Sequence, residues 1–307
     1  MARRKKGKAV HGWVVLDKPV GMTSTQAVGA VRRLYDARKA GHAGTLDPLA
    51  TGILPIALGE ATKTVPYVVE GRKDYRFTVR WGAETDTDDA EGRTMSTSDV
   101  RPEQGAVAAL LPRFIGEIMQ TPPAFSAIKV DGERAYDLAR AGEAVELEAR
   151  PVCIDALVLV GMPDPHTAVF EAQCGKGTYV RALARDMGRA LGCLGHVVEL
   201  RRTRVGAFGE AEAVTLEALQ AAAGEGEAVL HRLLLPVEAA LAELAVLRVG
   251  HNDAARLAQG QPVLVRGRDA PADTGPTYAT CKGHLVAVGH IDKGELHPIR
   301  VFNFSGN

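Results

Sequence analysis

The sequence is poor in aromatic residues and cysteines, and it contains no long hydrophobic run. Aromatics make up 5% of its 307 residues, so we expect a core built mainly of leucine, valine, isoleucine and alanine. Four cysteines without a CxxC pair indicate neither a zinc site nor a disulfide framework, which favours a soluble protein of a reducing compartment. No apolar run reaches the roughly 18–20 residues that span a membrane, and residues 1–12 do not have the form of a signal peptide.

The sequence also lacks a net charge, with 37 basic residues against 37 acidic ones. A protein that binds a polyanion would therefore need a local basic face. Residues 1–12 carry five positive charges and no negative ones, whereas residues 84–103 are strongly acidic. Residues 174–204 are again basic, and this is where a phosphate backbone would be sought. A solvated helix face remains the alternative explanation of this basic segment.

The hydrophobic pattern predicts a mixture of strands and helices. Strands are predicted at 12–17, 74–82, 152–160 and 168–174, and helices after residues 23–25, at 178–191 and in a pair within 218–244. After Leu247 the pattern changes to short apolar runs separated by glycine, proline and aspartate, which is typical of a small β-rich module. Strands joined by hairpin-like turns, with helices between them, indicate an α+β protein with a domain boundary near residue 245.

The densest group of chemistry-bearing residues lies in the segment GHAGTLDPLATG, which begins at Gly41. Glycines on both sides of Asp47 would leave its carboxylate in a tight turn, open to a large substrate. From these residues alone, an ordinary Asx turn at Asp47-Pro48 is the favoured reading, because most Asp-Pro pairs are used in this way.

Two ligand-binding motifs fail on inspection. The run from Gly175 resembles the end of a phosphate-binding loop, but Lys176 is followed by glycine and no glycine stands five residues before it. The acidic run from Asp86 has alanine and glutamate at the fifth and sixth positions of a calcium loop and lacks the closing glutamate. We therefore expect neither a nucleotide triphosphate site nor a metal.

Five ordered motifs resemble the TruB-type pseudouridine synthases, which isomerise one uridine in the T loop of transfer RNA. One is the Asp47 segment, and the others begin at Leu16, Lys73, Pro122 and Cys174, the last followed by HVVELRRTRVGAF. The resemblance covers nearly all of residues 12–210. It implies the pseudouridine synthase fold, an α+β architecture in which helices flank a central mixed, mainly antiparallel sheet. The tail is similar, more loosely, to the small RNA-binding PUA domain.

The resemblance also implies a domain organisation. Residues 1–11 would be a flexible basic tail, and residues 12–245 the catalytic domain. This domain would carry a mobile insertion at about 122–150 that closes on the RNA. Residues 246–307 would form the PUA-like RNA-binding domain.

Carried over residue by residue, the resemblance assigns the site. Asp47 is the catalytic aspartate, Arg181 its ion-pair partner, and Tyr75 the aromatic that lies against the target base. His42 contacts the RNA and helps the base out of its stack, and Tyr179 and Leu200 line the substrate pocket. Without the resemblance, Tyr75 reads as an inward strand residue and His42 as a structural hydrogen-bonder.

Three basic residues complete the expected substrate-binding set beside Lys18, which belongs to a motif next to the active site. Lys176, Arg201 and Arg202 are assigned to phosphate groups because they lie in the basic segment.

The implied reaction is the isomerisation of uridine to pseudouridine at position 55 of transfer RNA. It needs one carboxylate that stays ionised in a dry pocket, and an arginine can offset the rise in pKa that burial causes. No cofactor or metal is expected. The partner is the T-arm stem-loop, and we expect a cytoplasmic monomer without a guide RNA. The alternatives are an RNA-guided relative, or a binder that only helps RNA to fold.

Overall fold

We describe the fold from a computed structural model. It describes residues 7–126, 128–130, 133–134, 147–266 and 275–304. The start of the expected basic tail and much of the expected insertion at 122–150 lie outside the described residues. No helix within the described ranges is long and apolar enough to cross a membrane.

The described chain contains seven α-helices and nineteen strands. The helices are α1 Ser24–Leu34, α2 Val65–Glu70, α3 Gln104–Leu110, α4 Val180–Ala190, α5 Leu216–Glu225, α6 Glu227–His231 and α7 His251–Ala258. The strands up to residue 134 are β1 Gly12–Lys18, β2 Ala40–His42, β3 Thr51–Leu58, β4 Lys73–Trp81, β5 Ala83–Thr85, β6 Thr94–Thr97, β7 Gly116–Gln120, β8 Lys129–Val130 and β9 Glu133–Arg134. The later strands are β10 Arg150–Asp164, β11 Thr167–Cys174, β12 Gly195–Val205, β13 Phe208–Gly209, β14 Val214–Thr215, β15 Ala245–Arg248, β16 Val263–Leu264, β17 Pro276–Cys281, β18 His284–Asp292 and β19 Glu295–Val301.

Ten strands form the central sheet, in the order β14-β1-β3-β12-β4-β11-β10-β7, with β2 beside β3 and β13 beside β12. The β1/β14 and β3/β12 pairs are parallel and the others are antiparallel. The expected mixed, mainly antiparallel sheet is confirmed. Strand β12 pairs on one side with β3 and on the other with β4, so it brings distant parts of the chain together.

Helix α1 begins where the sequence offers several N-cap residues. Thr23 is the cap, and its side chain accepts from the backbone N–H of Gln26, whose own side chain accepts from the N–H of Thr23. Ala27 and Val31 lie one turn apart and are fully buried in the core. This helix and α4 pack on one face of the central sheet.

Helix α4 begins at Val180, immediately after Tyr179 in extended conformation. Leu183 and Met187, four residues apart, are buried in the largest hydrophobic core. Arg181 and Arg185 are also buried, although they carry charge. Buried charges require partners, and these are supplied by the site described below.

A second sheet of five strands, in the order β15-β17-β18-β19-β16, starts at Ala245. It forms the small β-rich module expected for the tail. Its residues Leu285, Val288 and Phe302 share a hydrophobic core with Trp13 and Phe208 of the larger module. The two sheets are therefore joined by common apolar packing.

The described part of the expected flexible tail, residues 7–11, is packed against the larger module. The backbone N–H of Lys8 donates to Asp36 and its carbonyl accepts from Arg38. Its ammonium group pairs with Glu227 at 2.5 Å. Within residues 7–11, the backbone of Lys8 and the buried side chain of Val10 therefore contact the rest of the protein.

Candidate active site

Asp47 lies in the connection between β2 and β3, which we call the Asp47 turn (residues 43–50). The two strands pair antiparallel, with His42 opposite Ile56. Within the turn, the carbonyl of Asp47 accepts from the N–H of Ala50 at 3.1 Å. The side chain of Asp47 is 35% exposed, so its carboxylate faces an opening rather than the closed core.

The guanidinium of Arg181 pairs with this carboxylate. Its Nε lies 2.8 Å from Asp47 Oδ2 and 3.7 Å from Oδ2 of Asp89. The remaining nitrogens donate to the carbonyls of Thr87 at 2.7 Å and Phe125 at 3.0 Å. The Arg181 side chain is only 5% exposed, so its charge acts on Asp47 through little solvent. The structure thus places in contact two residues that lie 134 positions apart in the sequence.

An acidic loop supports this arginine from behind. Asp89 is buried and accepts from the Thr87 hydroxyl at 2.6 Å and from the backbone of Glu91 at 3.0 Å. One turn along α4, Arg185 pairs with the buried Asp88 at 2.9 Å. The sequence analysis considered this acidic run only as a failed calcium loop. The feature that could have revealed its role is the pair Arg181 and Arg185. They lie four residues apart, on one face of α4, and their charges are opposite to those of Asp88 and Asp89.

Lys18 is fully buried at the end of β1 and does not face the opening. Its ammonium group donates to the carbonyls of Pro19 at 2.9 Å, Met22 at 2.7 Å and Pro48 at 3.4 Å. Burial lowers the pKa of Lys18 to about 8, although the Asp47 carboxylate opposes the shift. Lys18 therefore fixes backbone on both sides of the site, which corrects its assignment to direct substrate binding.

Ser24, at the start of α1, holds the residue before Asp47. Its hydroxyl donates to the carbonyl of Leu46 at 3.0 Å and accepts from the N–H of Leu46 at 2.8 Å. The sequence analysis noted Ser24 only as a possible helix cap. No local pattern reveals this role, because the partner lies 22 residues away.

Arg202 is also inside the protein, with 1% of its surface exposed. Its three guanidinium nitrogens donate to the carbonyls of Ile53 at 2.9 Å, Thr45 at 3.3 Å and Gly44 at 3.0 Å. This corrects the assignment of Arg202 to a phosphate: its donors are occupied by the backbone of the Asp47 turn. The reason is the alternation of β12, which turns Arg202 inward and Arg201 outward.

Tyr75 lies on β4, opposite Arg202 of β12 and Ala172 of β11. Its ring packs against the main hydrophobic core while part of it stays exposed. Burial raises the pKa of the Tyr75 hydroxyl above its ordinary value, and the negative charge of Asp47 acts in the same direction. Tyr75 can therefore be both a strand residue that packs on the core and a residue whose exposed part lines a pocket.

Tyr179 approaches the site from the start of α4. Its backbone N–H and carbonyl bond to the side-chain amide of Gln120, at 2.8 and 3.2 Å. Burial raises the pKa of the Tyr179 hydroxyl, and Asp47 again adds to the rise. Two tyrosines therefore lie within the electrostatic reach of one carboxylate.

His42 and Leu200 lie on strands on either side of the Asp47 turn. Nδ1 of His42 is buried without a hydrogen-bond partner among the described residues. Burial lowers the pKa of the His42 imidazole, and the nearby Arg202 lowers it further, so the neutral form is favoured. Leu200 is buried in the main core, and its carbonyl accepts from Thr51.

The two remaining basic residues are exposed but paired. Lys176 contacts Glu70 at 2.6 Å, and Arg201 pairs with Asp17 at 3.0 Å and Glu210 at 2.7 Å. The exposed Lys176 pair is weak, so this cation is free to exchange its carboxylate for another anion, whereas Arg201 is held by two nitrogens on Asp17. No group of three or more histidine, cysteine or acidic side chains suited to a metal occurs in the described part of the chain.

Comparison with known proteins agrees with this architecture. The family model for the N-terminal domain of the TruB family of pseudouridylate synthases matches residues 32–180, and that for the C-terminal domain of tRNA pseudouridylate synthase B matches residues 181–242. The chain is 61% identical to tRNA pseudouridine synthase B of Bradyrhizobium diazoefficiens, over 99% of this chain and 89% of the relative. It is 56% identical to the protein of the same name in Agrobacterium fabrum, over 98% and 97%.

Solved structures extend the likeness to the fold of the chain. A Cbf5-Nop10-Gar1 complex contains a chain with a TM-score of 0.75 and 25% identity, covering 96% of this chain and 85% of the other. An H/ACA ribonucleoprotein bound to a substrate RNA containing 2′-deoxyuridine gives a TM-score of 0.73 at 22% identity, covering 98% and 90%. With its Asp47 turn, its ten-stranded sheet and these relatives, the chain belongs to the TruB family of pseudouridine synthases.

Proposed function

We propose that this pseudouridine synthase converts uridine 55 in the T loop of transfer RNA, with Asp47 as its catalytic carboxylate. The observation that carries the proposal is the 2.8 Å ion pair between the partly exposed Asp47 and the buried Arg181. The pair holds a partly exposed carboxylate in a fixed position, where a nucleotide taken out of its loop could reach it. The tRNA-acting relatives support transfer RNA as the substrate.

The reaction is an isomerisation and needs no external reagent. The N1–C1′ bond breaks, the uracil turns, and C5 joins C1′, while a proton leaves C5 and another is taken up at N1. Asp47 would act as the nucleophile or base of this rearrangement. Arg181 would orient this carboxylate through the ion pair, since its guanidinium is itself fixed by the carbonyls of Thr87 and Phe125.

The surrounding residues would hold the flipped base. The ring of Tyr75 offers a stacking face, and such stacking typically recovers about 1–3 kcal/mol per base. Tyr179 and Leu200 would complete the pocket walls, and the neutral His42 would contact RNA beside the Asp47 turn. Lys176 and Arg201 would bind phosphates by releasing their carboxylate partners. We infer a monomer that acts on the T-arm stem-loop without a guide RNA or cofactor.

The first prediction tests the catalytic carboxylate. Asp47→Asn removes the charge at nearly constant size, so pseudouridine formation in an unmodified tRNA transcript should fall at least about a thousandfold, while the Kd for tRNA changes little. Mapping the new pseudouridine and measuring single-turnover rates checks both claims. Asp99→Asn, at an exposed aspartate, is the control and should react at the wild-type rate.

The same assay separates the alternatives. A normal rate for Asp47→Asn would refute the catalytic assignment. A wild-type protein that binds the transcript without modifying it would instead be an RNA-folding protein. Activity that appears only after a guide RNA is added would favour the RNA-guided alternative. We include this test because the fold is shared with a chain of the Cbf5-Nop10-Gar1 complex.

A further inference from the structure

A strongly exposed valine lies beside the Asp47 turn. Val20 is 64% exposed, among the highest values for large hydrophobic side chains in the described ranges. It belongs to the turn between β1 and α1, residues 19–22, which we call the Val20 turn. Single exposed apolar side chains are common on protein surfaces, so exposure alone assigns no role. The attachment of this turn to the site makes the position informative.

Two sets of hydrogen bonds fix the Val20 turn to the Asp47 turn. The backbone N–H of Gly21 donates to the carbonyl of Pro48 at 2.8 Å. The ammonium group of Lys18 bonds at once to Pro19 and Met22 on one turn and to Pro48 on the other. Pro48 directly follows Asp47, so the Val20 turn is fixed to the backbone that carries the Asp47 carboxylate.

The conformation of the Val20 turn is strictly defined. Gly21 has a φ of +79°, a region that glycine adopts readily and other residues rarely. Lys18 stays buried to hold the turn, although burial disfavours its charge. These features keep Val20 in one place, but they do not require an apolar side chain there, since that side chain contacts mainly solvent. An exposed apolar side chain on a turn that is fixed to the Asp47 turn fits a surface that is covered when substrate binds.

We propose that Val20 is a substrate-contacting residue, which packs against the bases or riboses next to the uridine that enters the site. This inference rests on the proposed function, because it takes the occupant to be RNA with one nucleotide flipped towards Asp47. Removing that nucleotide exposes the apolar faces of its neighbours, and proteins that disturb a base stack commonly place apolar side chains against such faces. Val20 would cover these faces and stabilise the opened loop.

The test compares Val20 with a matched valine remote from the site. Val100 is 52% exposed and lies next to Ser98, whose N–H bonds to the carbonyl of Gly82. Gly82 follows β4 at the end away from Tyr75, roughly 20 Å along the strand by its rise per residue. Val100→Asp thus adds the same charge to the same exposed residue type, far from Asp47.

We expect Val20→Asp to lower kcat/KM on an unmodified tRNA transcript by roughly tenfold or more, chiefly through a higher KM and Kd, because it removes an apolar contact and adds a charge beside phosphates. Val20→Thr, of the same shape, should lose roughly threefold, and Val20→Ile should stay within about twofold of wild type. All variants should keep the wild-type Tm, since the side chain is exposed. Val100→Asp should behave as wild type.

Equal kcat/KM values for Val20→Asp and Val100→Asp would overturn the inference. Equal values are also expected if Val20 binds a partner protein instead of RNA, because the assay contains only enzyme and tRNA. If Val20→Thr lowered the Tm as well as kcat/KM, the loss of activity would follow from a less stable fold. That result would also overturn the inference, in favour of a purely structural role. If the wild-type protein forms no pseudouridine, the proposed function itself is wrong. If the wild type is active but Val20→Asp matches Val100→Asp, only the inference about Val20 is wrong.

Discussion

Two buried arginines act on the Asp47 turn in different ways. Arg181 contacts the Asp47 carboxylate, with its Nε 2.8 Å from Oδ2, and so fixes the direction of that group. Arg202 donates to backbone carbonyls of the turn and of β3, so it sets the path of the chain. The first contact involves the side chain at position 47, whereas the second would be needed for any residue there. We expect their variants to fail differently.

The prediction for Arg202 concerns stability. Arg202→Met keeps the buried volume but leaves the carbonyls of Gly44, Thr45 and Ile53 without their donor. Each such loss costs about 1–3 kcal/mol, and relief from burying a charge offsets part of the sum. The free energy of unfolding in urea should fall by about 2–4 kcal/mol, net of that relief.

The neighbouring arginine provides the control for that experiment. Arg201 points outward and pairs with Asp17 and Glu210 near the surface. Arg201→Met should cost less than about 1 kcal/mol. Equal urea midpoints for the two variants would contradict the structural role of Arg202.

At the scale of the element, the close approach of β3 and β12 depends on one glycine. Gly52 has a φ of +97°, and a Cβ there would lie 2.1 Å from the carbonyl oxygen of Arg202. A side chain would therefore strain the backbone and separate the two strands where the Asp47 turn ends. The parallel pairing of β3 with β12 spans only the registers Arg201–Thr51 and Arg202–Gly52, so few contacts could compensate.

Gly52→Ala should lower the free energy of unfolding by about 3 kcal/mol or more, or prevent folding, because both the φ and the space are unsuitable. Gly105 on α3 is the control, since a Cβ there meets open space. Gly105→Ala should stabilise the protein by about 0.5–1 kcal/mol, owing to the helix propensity of alanine. Thermal and urea unfolding of both proteins measure the difference, and a neutral Gly52→Ala would refute the steric reading.

At the scale of the whole molecule, the small sheet is fixed to the large one by polar and apolar contacts. The Glu60 carboxylate accepts from Lys63 at 2.6 Å and from the backbone N–H of Asn303 at 2.8 Å. Lys63 also donates to the carbonyl of Val301 at 2.7 Å. Phe302 lies beneath this polar seam, in the core that the two sheets share. The modules are therefore expected to unfold together.

Phe302→Ala tests that coupling. The side chain is 7% exposed, and its loss should cost about 3–5 kcal/mol while unfolding remains a single transition. Phe304, two residues on and 38% exposed, should cost less than about 1 kcal/mol when changed to alanine. Two separate transitions in wild-type calorimetry would show instead that the shared core does not couple the sheets.

Much of this architecture could be predicted from the sequence, because its signals are local. The alternation at residues 74–82 and the threonines before α1 predicted β4 and the start of α1 within one or two residues. The glycines around Asp47 predicted a turn, and the family resemblance named Arg181 as the partner of Asp47. Their contact in the structure agrees with that assignment.

The sequence analysis was wrong where burial depends on distant partners. Arg202 was assigned to phosphate because basic residues are usually exposed, yet its strand runs through the middle of the sheet. Ser24 and Asp89 were missed as parts of the site because their partners are far along the chain. Strand β12 was not predicted, because its charged residues interrupt the apolar pattern that is expected of an interior strand.

The position of β12 between β3 and β4 also determines when, during synthesis, the surroundings of Asp47 can be completed. Asp47 emerges from the ribosome early, but Arg181 and Arg202 emerge more than 130 residues later. Until then, the first 180 residues cannot close the sheet around the turn or supply its two guanidinium groups. On the proposed function, a nascent chain that stops short of β12 would carry Asp47 without the closed sheet around it, and it would form no pseudouridine until this last interior strand has inserted.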